Sequence, residues 1–190
     1  MEVCIAAGKD GEALAALLEC LYKESGVAAR VVLMETNAAR NGIQNSPEKD
    51  DIQAKEIFDI LLLDIDNDPL PCAVSARAVV LGTDGSHSKQ AMQGLPHGGW
   101  IVSYGLNSKS CITASSLQGE TLLICLQHAV PCVDGRMAEP MEFSVRRTPR
   151  GVAPRLLLAV VSAAICGGVY PDAISAFFAN VNEKAFVKQA

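Results

Sequence analysis

Between Val3 and Leu21 the residues VCIAAGKDGEALAALLECL change their hydrophobic period, and that change restricts the fold more than any other feature of the chain. Val3 to Ala6 form a continuous apolar run, the pattern of a strand buried on both faces. After Gly8 the apolar residues Leu14, Leu17, Leu18 and Leu21 recur at helical spacing, with Glu12, Glu19, Lys23 and Glu24 on the other faces. Asp10 stands at the N-cap position and Gly26 at the C-terminal stop. A second apolar run, ARVVLMET (Ala29–Thr36), reads as another buried strand. Strand, helix and strand in this order make a βαβ unit, with parallel strands and a right-handed crossover.

The same texture continues. NAARNGIQNSPEKDD (Asn37–Asp51) is polar and turn-rich, and reads as a mobile surface loop. FDILLLDID (Phe58–Asp66) is a third strand, apolar on both faces and therefore central. ARAVVLG (Ala76–Gly82) and GGWIVSYG (Gly98–Gly105) are further strands, and DGSHSKQAMQGL (Asp84–Leu95) a short helix between them. Beyond Gly105 the segments SCITASSLQ, ETLLICLQH and MEFSVRRT follow one another across turns, without helices, as in an antiparallel meander. Two helices close the chain. APRLLLAVVSAAICGG has Pro154 in its first turn and Gly167 as its stop, and YPDAISAFFANV has Ile174, Phe177 and Phe178 as its apolar face.

The expected fold class is α/β: a mostly parallel, P-loop or Rossmann-like sheet flanked by helices, with a small antiparallel β-meander. Residues 1–190 are expected to be a single domain, with the parallel part at 1–105, the antiparallel strands at 106–150 and the C-terminal helices at 151–190. In such sheets ligands bind outside the carboxyl ends of the strands. The loops after Ala6, Thr36, Ile65 and Gly82 are expected to share that edge.

Composition excludes several functions. The chain is 49% hydrophobic but 5% aromatic, so its core is built from Ala, Leu, Val and Ile. A formal charge of −5 argues against nucleic acid as a partner, and RRTPR (Arg146–Arg150) reads as a solvated loop. Seven cysteines without a CxxC pair fit reduced thiols in a cytoplasmic protein, with Cys4 and Cys20 in the core. His87, His97 and His128 lie far from any cluster with metal-ligand spacing. No signal peptide is read at the N-terminus. The apolar run Leu156–Val169 is shorter than the roughly 20 residues of a membrane span, and reads as a buried helix.

The first loop has the outline of a phosphate site. Phosphate-binding loops follow G-x-x-x-x-G-K-S/T or the shorter G-x-x-G-K-S/T. Glycines let amides approach phosphate, lysine supplies charge, and the hydroxyl holds Mg²⁺. Here GKDGEA keeps the glycine spacing with Gly8 and Gly11, but Glu12 takes the lysine position and Ala13 the hydroxyl position. The bland alternative is an ordinary strand-to-helix turn with Glu12 favourably placed near a helix N-terminus. In the same way DIDND (Asp64–Asp68) at a strand end has oxygen ligands for a divalent cation, or is an acidic solvated loop. Asp84, His87 and Lys89 offer a small polar site, or a surface helix start.

Three segments together resemble the central domain of the Mur ligases, ATP-dependent amide ligases of peptidoglycan precursor synthesis. VCIAAGKDGEALAALLECLYKESG is similar to that family's opening ITGTNGKTTT strand, loop and helix. WIVSYGLNSKSCITASSLQGETLLICL resembles the segment after its parallel sheet, and GVAPRLLLAVVSAAICGGVYPDAISAFFANV its ending. Folylpolyglutamate and cyanophycin synthetases share this fold, so the resemblance is to a superfamily, over roughly residues 3–180. It implies a relic nucleotide site at Gly8, Lys9, Asp10, Gly11 and Glu12, and a metal ligand at Asp64. It also places the family's His-Asn-x-x-Asn phrase on GVAPR (Gly151–Arg155), where the phrase is lost, and its Asp-His phrase on Asp84 and His87. The family's other two domains have no room in 190 residues. The resemblance therefore implies a non-catalytic domain with ATP and Mg²⁺ binding lost or weak, and no cofactor. Its expected partner is another protein or a second copy, not a membrane. A ligase subunit completed by a partner chain, with Lys9 replacing the loop lysine, and a plain interaction module with an apolar strip on the last helix are the alternatives.

Overall fold

The first strand, β1 (Glu2–Ala7), is buried along its whole length except at Glu2. Its neighbours define the sheet in a computed structural model that describes residues 1–8, 10–34, 57–64, 74–85, 99–116, 120–146 and 153–181. Helix α1 (Gly11–Glu24) leads from β1 to β2 (Arg30–Met34), which pairs with β1 in parallel from Glu2↔Arg30 to Ala6↔Met34. On the other side of β1 lies β3 (Ile57–Asp64), also parallel, ending at the pair Ala7↔Asp64. β4 (Ser75–Gly82) and β5 (Trp100–Tyr104) extend the parallel sheet.

The remaining strands are β6 (Ile112–Ser116), β7 (Thr121–Leu126), the two-residue strands β8 (Val130–Pro131) and β9 (Met137–Ala138), and β10 (Met141–Arg146). β6 meets β5 in parallel through one pair, Tyr104↔Ile112, and then β6, β7 and β10 run antiparallel. The meander is thus continuous with the parallel strands in one eight-stranded sheet, ordered β10-β7-β6-β5-β4-β3-β1-β2, and β8 and β9 form a separate small hairpin. The short connection from Tyr104 to Ile112 holds the two halves together, since Gly105 N–H bonds the Ile112 carbonyl at 3.1 Å. Strand order reverses at β1, which places the topological switch point between β1 and β3.

Both faces of the central strands are apolar, as their continuous hydrophobic runs require. One face carries Ile5, Ile60, Leu62 and Val80 under Leu14, Leu17, Leu18 and Leu21 of α1. Helix α2 (Pro154–Cys166) is packed into the same layer and is buried from Leu156 to Cys166, as expected for its apolar run. The opposite face gathers Cys4, Ala6, Leu61, Leu63, Val79 and Leu81. Helix α3 (Pro171–Asn180) buries Ile174, Phe177 and Phe178, and its Ser175 hydroxyl donates to the Ser144 carbonyl of β10 at 2.9 Å. The large apolar side chains of this last helix therefore face inward and leave no apolar strip on it.

One local expectation changes. Cys20 is exposed, because it lies on the face of α1 shared with Glu12 and Lys23 and not with the leucines. Gly167 caps α2 as expected, and Gly168 after it turns the chain with a φ of +86° that only glycine adopts readily. Gly167 also makes room for Tyr22 of α1: a Cβ there would lie 2.6 Å from the phenol oxygen. The loop Asn37–Asp51 and most of the helix expected at Asp84–Leu95 lie outside the described residues.

The buried Tyr22 hydroxyl joins the two main helices by donating to the Ala163 carbonyl at 2.8 Å. Replacing Tyr22→Phe removes this bond while keeping the ring's packing. The expected result is a loss of about 1 kcal/mol of unfolding free energy in urea titration, and an unchanged midpoint would contradict the contact.

Candidate functional site

The carboxyl ends of β1, β3, β4 and β5 form one edge, and the sequence-singled residues fall along it. Gly8, Asp10, Gly11 and Glu12 connect β1 to α1, while Lys9 lies outside the described residues. The Gly11 amide donates to the Gly8 carbonyl at 3.1 Å, so it is engaged within the turn. Gly11 also lets α1 start close against β2, since a Cβ would lie 2.8 Å from Leu33 Cδ1. Asp10 occupies the N-cap position but makes no side-chain cap bond. Glu12 stands exposed in the first turn, followed by exposed Ala13. A carboxylate here suits the helix dipole but repels a polyphosphate. A unit-charge pair at about 4 Å is worth roughly 4 kcal/mol at an effective dielectric of 20, and here its sign is unfavourable to phosphate.

Beside this turn, Asp64 ends β3 with a side chain only 7% exposed. Its Oδ1 accepts hydrogen bonds from the Tyr104 hydroxyl at 2.9 Å and from Arg155 Nε at 2.7 Å, and Arg155 Nη2 forms an ion pair with it at 2.6 Å. Tyr104 comes from the end of β5 and Arg155 from the first turn of α2, so one carboxylate oxygen ties three elements together. Gly82 at the end of β4 permits this closeness, as a Cβ would lie 3.0 Å from Tyr104 Oη and 3.2 Å from Asp64 Oδ1. Burial first, and then the Asp64 charge, push the Tyr104 phenol well above its ordinary range, so it remains a protonated donor.

A second polar network borders the first. The Thr83 hydroxyl donates to the Tyr104 carbonyl at 3.0 Å and lies 2.7 Å from the Ser110 hydroxyl. Asn107 Nδ2 donates to Thr83 Oγ1 at 2.8 Å and to Asp84 Oδ1 at 3.2 Å. Both Asp84 oxygens accept the Leu106 amide, at 3.0 and 2.8 Å. Asp84 thus anchors the loop after β5, and His87 and Lys89 lie outside the described residues, as do Asp66 and Asp68. Burial pushes the Cys125, Cys132 and Cys166 thiols above their ordinary range, which keeps them protonated.

The structure therefore brings Asp64 to the same edge as the Gly8–Glu12 turn, and adds two residues that sequence reasoning did not single out, Tyr104 and Arg155. One signal for Arg155 exists in the sequence: it is the single charge in PRLLLAVVSAAIC. A divalent cation at Asp64 Oδ1 does not fit these residues, because that oxygen already accepts from Tyr104 and Arg155 and a guanidinium stands where a second cation would be repelled.

No protein-family model matches the sequence, and no curated protein matches it. Among solved structures, the fold is similar to the UDP-N-acetylmuramoylalanyl-D-glutamyl-2,6-diaminopimelate--D-alanyl-D-alanyl ligase from Acinetobacter baumannii, with a TM-score of 0.58 at 10% sequence identity. The match covers 95% of this chain and 46% of the ligase, so the chain spans less than half the length of the enzyme it resembles. The fold is Mur-ligase-like: a mostly parallel sheet flanked by helices, with antiparallel strands at one side. Among the described residues, no helix is long and apolar enough to cross a membrane.

Removing one partner of a buried ion pair leaves the other charged and unsatisfied. Arg155→Leu is expected to lower unfolding free energy by about 3–5 kcal/mol. Adding Asp64→Leu is expected to restore part of that loss, so that the double variant is more stable than the sum of the singles. Urea unfolding of the four proteins measures the coupling, and strict additivity would contradict the pair's role.

Proposed function

We propose that this chain is a Mur-ligase-like domain without ligation or ATP hydrolysis of its own, acting in the cytoplasm as a binding or regulatory protein linked to cell-wall precursor metabolism. One observation carries the reading: exposed Glu12 stands in the first turn of α1, at the carboxyl end of β1, in the position where the resemblance places the loop lysine. The neighbouring Ala13 has no hydroxyl for a metal. The fold likeness supports the framework, and the opposite charge supports the loss of phosphate chemistry. Its partner on this reading is a protein or a second copy of the chain, bound without a cofactor.

A second reading draws on length. Because the chain matches 46% of the ligase, a partner chain would supply the rest of an ATP-dependent amide ligase, with Lys9 standing in for the loop lysine. A third, a plain interaction module, draws on the exposed Met137, Met141 and Tyr170. The loop chemistry favours the first.

Calorimetric titration with Mg-ATP separates the first reading from the ligase subunit. Up to millimolar nucleotide the wild-type chain is expected to show no saturable heat and to release no phosphate. Glu12→Lys combined with Ala13→Thr is expected to tighten binding at least tenfold, equivalent to about 1.4 kcal/mol. Micromolar binding with turnover by the wild type, abolished by Lys9→Ala, would overturn the proposal in favour of the ligase subunit.

A further inference from the structure

We infer that the Arg155 guanidinium is the resident cation of this sheet edge, seated on Asp64 where a divalent metal would otherwise be held, and that it keeps such metals out. Asp64 ends a central parallel strand next to the switch point, the place where open α/β sheets gather their ligands. A carboxylate this deeply buried needs a compensating charge. Arg155 supplies it through two nitrogens on one oxygen, at 2.7 and 2.6 Å.

The placement of Arg155 points to this role. A cation in the first turn of a helix works against the macrodipole, so α2 by itself disfavours an arginine there. Asp64 offsets that cost, and the pair is further fixed by the Tyr104 hydroxyl on the same oxygen. Oδ1 is boxed between Tyr104 and the close backbone at Gly82, which leaves a hydrated metal ion little room to approach while the guanidinium is present. An Mg²⁺ or Mn²⁺ ion would have to displace Arg155 and leave its charge beside a dication. Asp64 is therefore neutralised from within the chain. The inference shares the fold likeness with the proposed function but not the loop chemistry, and its test contains no nucleotide, so either can fail alone.

Mn²⁺ alone is the probe, followed by electron paramagnetic resonance on the folded proteins. Wild type is expected to leave Mn²⁺ free. Arg155→Gln keeps an amide that can still donate to Asp64, and is expected to bind Mn²⁺ at least tenfold more tightly than wild type. The double variant Arg155→Gln, Asp64→Asn is expected to lose that gain. Folded Arg155→Gln that binds no more tightly than wild type would overturn the inference. Should that variant not fold, the wild-type chain gives an independent reading by nuclear magnetic resonance. Mn²⁺ is expected to leave the Gly82 and Tyr104 amide signals unbroadened, and selective broadening of both would overturn the inference.

Discussion

A carboxylate buried at the end of a central strand persists only with a cation beside it, and the pairing of Asp64 with Arg155 organises the edge of this molecule. Through that one oxygen the end of β3 is bound to the end of β5 by Tyr104 and to the start of α2 by Arg155. The helix layer is then anchored twice. Arg155 holds α2 at its first turn, and the Tyr22 hydroxyl of α1 holds it near its end, at Ala163. Neighbouring Thr83, Asp84, Asn107 and Ser110 bind the next loops to one another, so these polar groups among the described residues are engaged with the chain itself.

These contacts bear on function through charge. The fold is one in which ligands gather at the carboxyl ends of parallel strands. Here that end presents Asp10 and Glu12 near the α1 N-terminus and a neutralised Asp64 beside them. On the proposed reading the carboxylates of Asp10 and Glu12 disfavour a polyphosphate at this end. Fold and activity are separable in this way, because activity resides in a few side chains carried on the scaffold.

Much of the framework was legible from the residues. The change of period at Gly8 marked β1 and α1, and the apolar runs at Ala29, Phe58 and Ala76 marked the parallel strands, because buried strands and helices leave different spacings. Local geometry was harder to read. Gly167 and Gly168 are adjacent, and only backbone conformation shows that Gly168 turns the chain while Gly167 accommodates Tyr22. Cys20 looks apolar by composition but falls on the polar face of α1. Within the site, Gly8, Gly11, Glu12 and Asp64 could be placed at one edge from strand order alone. Their partners could not: Arg155 is 91 residues from Asp64, and Tyr104 is 40, so no local pattern links them.

The most direct measurement is a crystal structure of the wild-type protein grown with millimolar Mg²⁺ and a non-hydrolysable ATP analogue. The expected result is Arg155 on Asp64 Oδ1, as described here, with no phosphate at the Gly8–Glu12 turn. An Mg²⁺ ion about 2.0–2.1 Å from Asp64 Oδ1, with Arg155 displaced and phosphates seated on the turn, would contradict it.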